Sequence, residues 1–409
     1  MNLSSFRLER RLFTVATVAA VTLAGPATIA AAEPTPVADA DSFYTAPTNL
    51  AELPNGAFLR SREINPTGLF LTMPVKAWQV QYKTLDSNDV PTTGVATILV
   101  PPTPWTGQGT RPLVSHQVAE DSLGPHCATS RNVVADPLAG VTTAQPESAL
   151  DIAALQQNWA VVLSDYEGPQ ERFLDQKLWA HSVLDGIRTA RAFAPAELTR
   201  SPVALIGYSG GSMASIWAAD EQPAYAPELP LAGMSVGGIP ADIGAAFRAV
   251  NGTYSAGLGM LGLESMDRLH PEADIPALLN DRGKQAFTED ANLCDDDFLA
   301  KYPFHDLDDY TVAPNITDDP RLTAIADTLR LDRQTPPLPT FAWHSTADDV
   351  LPYASTAALV RTWCAAGAQI TFLTTNTPTH IPAAFPGIAP SIDYLSQRFA
   401  GTPAPAGCT

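Results

Sequence analysis

From Trp78 to Leu85, and again from Gly94 to Val100, apolar and polar side chains take turns along the chain. A period of two turns one face of a strand inward, so these stretches read as a pair of neighbouring strands. The later runs Pro112–Val118, Trp159–Leu163, Val203–Tyr208, Leu231–Val236, Thr340–Trp343 and Gln369–Thr374 are short and largely apolar. That suits strands covered on both faces. Helical spacing separates several of them: Val183, Leu184, Ile187 and Ala190 fall on one side of Ser182–Phe193, and Met213, Ile216 and Trp217 share a face. Strands alternating with helices predict an α/β architecture, a mostly parallel central sheet flanked by helices.

One gap breaks the rhythm. Residues 241–333 lie between the Leu231 and Thr340 strands, where a plain strand-helix-strand unit needs only about thirty residues. The segment is rich in helix formers and predicts a largely helical cap inserted after the sixth core strand. The expected division is therefore a first core part with an N-terminal extension over 33–240, a cap over 241–333 and a second core part over 334–409. Residues 1–32 stand apart. Arg7, Arg10 and Arg11 precede the apolar run Leu12–Ala24, and Ala30-Ala31-Ala32 suits cleavage near Ala32, which together read as a secretory signal. The run is shorter than the roughly 20 residues of a membrane span, so no stable membrane insertion is expected.

Charge and cysteines narrow the partners. The net charge is −19, and loss of three arginines and Glu9 with the signal would take it to −21. Such a surface argues against nucleic acid and against adsorption to anionic membranes. An even set of four cysteines in an exported chain favours two disulfides, with three pairings open. No Cys-x-x-Cys or Cys/His cluster points to zinc.

The chemistry concentrates in Gly207-Tyr208-Ser209-Gly210-Gly211, where an apolar strand gives way to a helix. This is the pattern of a nucleophile elbow, a strained turn that lifts a serine hydroxyl above the sheet. Its glycines avoid collision with the neighbouring strand and helix. In that arrangement serine, acid and histidine follow one another along the chain. His116, His126 and His181 precede Ser209, His270 and His305 lie in the polar intervening region, and His344 comes just before the favoured acid, leaving His380 as the base. Leu338–Pro352 reads as a strand and a loop that put Asp348 just past the strand end, with Asp349 as competitor. A serine hydroxyl is a weak nucleophile until a neutral imidazole takes its proton, and a carboxylate must hold that imidazole's tautomer. Singly, Asp348 fits a turn residue, His380 or Ser209 a helix cap; jointly, in this order and at strand ends, they fit a triad.

Longer strings carry a resemblance. Asp41-Ser-Phe-Tyr44, Glu120-Asp-Ser122, Ser164-Asp-Tyr-Glu-Gly168, Leu184-Asp-Gly-Ile-Arg188, Gly207–Gly211, Tyr225-Ala-Pro-Glu-Leu229 and the His380 segment together resemble the secretory lipase family of the α/β-hydrolase fold. The resemblance implies Ser209 as nucleophile, Asp348 as orienting acid, His380 as base, and an oxyanion hole at the Gly210 and Asp121 amides. An ionised Asp121 would destabilise an oxyanion, so its carboxyl is expected to be protonated by desolvation or turned away. The resemblance also implies the pairs Cys127–Cys294 and Cys364–Cys408. It further implies a secreted carboxylic-ester hydrolase, a triacylglycerol lipase acting on acyl esters or acylglycerols at a lipid–water interface, without cofactor or metal. A short-chain esterase or polyester hydrolase with the same triad is the alternative; an exported serine peptidase and a non-catalytic binding protein fit less well. In the cap, Tyr254–Leu263 reads either as a mobile flap that meets lipid or as packing of the cap's own interior.

Overall fold

The computed structural model describes residues 41–134 and 144–409; the signal reading over residues 1–32 lies outside them. Alternating and continuous apolar runs become the strands β1 (Phe58–Glu63), β4 (Lys76–Leu85), β5 (Pro91–Val100), β6 (Leu113–Gln117), β7 (Ala160–Ser164), β8 (Val203–Tyr208), β9 (Leu231–Gly237), β10 (Thr340–Ser345) and β11 (Ile370–Thr375). They form one sheet in the order β1-β4-β5-β7-β6-β8-β9-β10-β11, while β2 (Thr67–Gly68) and β3 (Leu71–Thr72) make a separate small hairpin. Pairing is antiparallel from β1 to β7 and parallel from β7 to β11. In the centre of the parallel part Ser115 of β6 lies between Val162 of β7 and Leu205 of β8.

The helices are α1 (Thr129–Asn132), α2 (Ala144–Gln156), α3 (Gln176–Ala192), α4 (Gly210–Tyr225), α5 (Ile243–Val250), α6 (Ala256–Leu269), α7 (Asp281–Glu289), α8 (Asp295–Lys301), α9 (Pro320–Thr328), α10 (Tyr353–Ala365) and α11 (Ile388–Phe399). They cover both faces of the sheet, and β8 shows why its sequence is apolar throughout. Val203 and Leu205 join a cluster with Val183, Leu184 and Ile187 of α3 and Met213 of α4. Ala204, Ile206 and Tyr208 point the other way, into a cluster with Leu150 of α2 and Ile392 and Leu395 of α11. Each fully buried aliphatic side chain contributes about 1.5–3 kcal/mol, so the sheet is anchored from both sides.

Two elements differ from the sequence reading. The helix expected from Ser182 begins at Gln176, because the Asp175 carboxylate accepts the Leu178 N–H and caps a first turn whose Gln176 and Lys177 carry no apolar signal. Strand β1, with Arg60, Arg62 and Glu63, was not expected; it is an edge strand, whose polar side chains are the usual protection of an unpaired edge.

Residues 243–333 supply helices α5 to α9. Phe247, Met260, Leu263, Phe298 and Leu322 from this segment join the same cluster as α3 and α4, so its interior is continuous with that face of the sheet. Most of Tyr254–Leu263 is packed in the structure. From Ala256 the stretch is helix α6, with Met260, Leu261 and Leu263 buried and Tyr254 exposed ahead of it. Its glycines allow close approach: a Cβ on Gly257 would stand 2.2 Å from the Phe298 carbonyl oxygen of α8.

Two disulfides tie down loops. Cys127–Cys294 joins the segment after β6 to the start of α8, and Cys364–Cys408 joins α10 to the C-terminal segment, whose Gly407 and Thr409 bond Ile370 of β11. These are the pairs the resemblance implies. Among the described residues no helix is long and apolar enough to cross a membrane.

Candidate active site

Ser209 stands between the last residue of β8 and the first of α4, at φ +51° and ψ −127°, a conformation that side chains rarely adopt. Its N–H bonds the Gly237 carbonyl at 3.0 Å, and its side chain makes no capping bond to the helix. Glycine is required on either side. A Cβ at Gly207 would lie 2.3 Å from the Gly211 oxygen, and one at Gly211 would lie 1.9 Å from the Gln117 oxygen of β6.

His380 arrives on the loop after β11, one residue beyond Thr379 at φ +61°. Three bonds fix it besides those of its ring. The Tyr208 hydroxyl donates to the His380 carbonyl at 2.7 Å, its own N–H donates to Asp349 Oδ1 at 2.8 Å, and the Ala383 N–H bonds its carbonyl at 3.1 Å. The ring then spans the site, with Nδ1 2.7 Å from Asp348 Oδ2 and Nε2 2.8 Å from Ser209 Oγ. These bonds agree with one tautomer, in which Nδ1–H donates to the carboxylate and Nε2 accepts from the serine. The other Asp348 oxygen accepts the N–H groups of Val350 at 3.0 Å and Leu351 at 2.8 Å. Burial alone would raise the Asp348 pKa, but His380 and these two donors hold it below the ordinary value. Beneath it, His344 Nε2 donates to the Leu351 carbonyl at 3.0 Å and is 3.6 Å from Asp348; burial lowers its pKa and keeps it neutral. The structure thus brings Ser209, Asp348 and His380 into one bonded line, and gives Asp349 a different task on the backbone of the same histidine.

Gly210 opens α4, where the first N–H groups of a helix lack intrahelical partners. Asp121 lies on the loop after β6 at φ +39°, and its Oδ1 stands where a Gly210 Cβ would be, 2.0 Å away, so the two segments touch. That oxygen is shut off from solvent without a hydrogen-bond partner, and desolvation followed by the charge of Glu147 pushes the Asp121 pKa up to about 7. Ser209, Gly210 and Asp121 line a cavity whose remaining wall is mainly apolar, including Met213, Phe247 and Leu258. Its atom-free space of ≈ 590 Å³, part of it open to solvent, falls in the range of small-molecule sites.

Behind Asp121 sit acids that sequence reading missed. Glu120, Asp165, Glu167 and Glu171 are all buried. Glu120 accepts the Thr129 N–H at 2.9 Å, Asp165 the Ser130 N–H at 2.8 Å, and Glu167 the Ser122 N–H at 3.2 Å. Burial raises all four pKa values: Asp165 to about 6, against the lowering pull of Ser130 and Arg131, and the three glutamates, where neighbouring carboxylates add repulsion, well above the ordinary range. The only signal was an acid within short strings such as Ser164-Asp-Tyr-Glu-Gly168. Glu120, Glu167 and Glu171 each offer an oxygen within 4.8 Å of the others, a spacing a cation could use; the other donor groups among the described residues include Cys294, whose sulfur is in a disulfide.

The sequence pattern of the secretory lipases matches residues 134–407. Lipase A of Moesziomyces aphidis is 31% identical, over 95% of this chain and 86% of that protein. A Mycobacterium tuberculosis protein described as a probable inactive lipase is 30% identical, over 89% of this chain and 82% of that one. Among solved structures, Candida antarctica lipase A in its closed state superposes with a TM-score of 0.79 at 30% identity, covering 90% of this chain and 88% of that one.

Proposed function

The chain belongs to the secretory lipase family of the α/β-hydrolase fold, and on that premise we propose that it is an exported lipase that cleaves acylglycerol esters through an acyl-enzyme on Ser209. Family membership does not by itself supply catalysis, since a relative of similar identity is described as inactive. The observation that carries the reading is the bonded line Asp348–His380–Ser209 opening into an apolar cavity.

Catalysis follows from that line. His380 Nε2 takes the proton of Ser209 as its oxygen attacks the ester carbonyl, and Asp348 stabilises the imidazolium that forms. The backbone N–H groups of Gly210 and Asp121 receive the developing oxyanion, each donor being worth about 3 to 4 kcal/mol of barrier. A neutral Asp121 carboxyl adds no repulsion there. His380 returns the proton to the leaving alcohol, and water, activated by the same ring, releases the acid. The apolar wall receives the acyl chain, and residues 241–333 act as a cap over it. Two disulfides and the family support export, with residues 1–32 as the signal.

Ser209→Ala should lower turnover at least about 10⁴-fold, and a fluorophosphonate probe should label the wild type at Ser209 alone. Rates on p-nitrophenyl esters should rise from acetate to longer chains and be accompanied by hydrolysis of emulsified triacylglycerol. A sharp acetate or butyrate preference with no emulsion turnover would make the protein a short-chain esterase instead.

A further inference from the structure

One buried network has no part in the steps above. His116, on β6 just before the Asp121 loop, lies fully buried between two carboxylates of α2. Its Nδ1 is 2.8 Å from Asp151 Oδ1, a hydrogen bond, and its Nε2 is 3.4 Å from Glu147 Oε2, an ion-pair distance. Glu147 and Asp151 are four residues apart and share one helix face. Burial opposes a charge on the ring, but the two carboxylates outweigh it and raise the His116 pKa to about 9. At neutral pH the ring is therefore an imidazolium. The same Glu147 Oε2 also accepts the Ala119 N–H at 3.4 Å, two residues ahead of Asp121.

Several titratable groups face Asp121: Glu147 from α2, Tyr166 and Glu167 from the segment after β7, Glu120 from its own loop, and, across the cavity, Ser209 with His380. Tyr166, Glu167 and Glu120 are pushed well up by burial and stay neutral. Glu147 is raised by burial too, but His116 lies against it and pulls it back toward ionisation.

We propose that Glu147 is a positioning residue for acyl transfer: clamped by His116, it braces the oxyanion loop at Ala119 and, as the negative charge facing Asp121, keeps that carboxyl uncharged while the oxyanion develops. This rests on the reading of Asp121 as an oxyanion-hole residue. The role differs from that of the triad. Glu147 touches no reacting atom and acts through the loop and through Asp121.

The test is the pH profile of kcat on soluble p-nitrophenyl butyrate for the wild type, Glu147→Gln, Asp121→Asn and the double variant. Wild-type turnover should fall on the alkaline side as Asp121 ionises, and Asp121→Asn should abolish that fall. Glu147→Gln should move it about one pH unit lower, the usual scale for removing one buried like charge, and the double variant should match Asp121→Asn. Glu147→Asp, which keeps the charge but shortens the reach to Ala119, should leave the midpoint in place while lowering kcat. An unmoved alkaline limb in Glu147→Gln overturns the inference, as does a shift that persists in the Asp121→Asn background. Should Glu147→Gln fail to fold, His116→Gln gives the same reading, because an unpaired Glu147 takes up a proton; an unmoved limb there is equally fatal. A wild type without turnover would instead defeat the hydrolase reading, so the two failures are distinguishable.

Discussion

Asp348 and Asp349 are adjacent in sequence and both bond His380, yet they stabilise different things. Asp348 meets the ring and its charge supports an imidazolium; Asp349 meets only the backbone N–H. Asp348→Asn should lower kcat about 10⁴-fold, the cost of the wrong tautomer, whereas Asp349→Asn should lower it about tenfold, the worth of one hydrogen bond to a charged acceptor. Steady-state kinetics on one soluble ester checks both, and equal losses would contradict the assignment. Before the structure, the serine and the histidine could be named from local pattern and chain order, because elimination left a single histidine. The acid could not be separated from its neighbour with the same force, since which of two consecutive carboxylates faces a ring depends on the turn that presents them. Glu147 was out of reach altogether. Its partner His116 lies 31 residues earlier on another element, and nothing in the α2 sequence distinguishes Glu147 from a solvent-facing helix acid.

At the scale of elements, the β8–α4 junction was the most legible part of the chain because its glycines answer to backbone contacts. Gly211→Ala would place a Cβ 1.9 Å from the Gln117 oxygen, a collision with a strand that cannot yield without opening the sheet. It should cost more than about 3 kcal/mol and be seen as a fall in denaturant midpoint along with lost activity; a midpoint unchanged from wild type would mean that the elbow is looser than its geometry. Helix α6 was ambiguous for a complementary reason: apolar residues punctuated by glycine suit a mobile flap and a packed cap interior equally, and the close contact of Gly257 with α8 exists only in three dimensions. The Cys127–Cys294 bond closes 167 residues of chain separation between the segment after β6 and α8. On loop-entropy grounds its removal should cost up to about 5 kcal/mol. The Cys127→Ser/Cys294→Ser variant should therefore unfold at markedly lower denaturant, with a transition slope no shallower than wild type, because the uncrosslinked unfolded chain exposes more surface.

Across the whole molecule the buried acids give stability a definite pH dependence. Asp165, Glu120, Glu167 and Glu171 release their protons at higher pH when folded than when unfolded. Above the ordinary carboxylate range, the native state therefore holds protons that the unfolded chain has lost, and stability declines as pH rises. Asp165, raised to about 6, contributes about 3 kcal/mol of that decline, spread between about pH 4 and pH 6, so that roughly half of it falls above pH 5. His116 has the same sign, for its contribution is complete below the free-imidazole value of 6.5 and is lost as pH rises through about 9. Asp348 works oppositely, but its lowered value puts its loss at acid pH, outside this window. Self-repulsion of a chain with a net charge of −19 reinforces the trend. The Tm should accordingly fall between pH 5 and pH 9. Glu167→Gln, a neutral isostere that still accepts the Ser122 N–H, should flatten the slope without lowering the Tm at pH 5. A Tm that holds steady or climbs over this range would show that the cluster is ionised in the native state, and a bound cation rather than shared protons would then have to balance Glu120, Glu167 and Glu171.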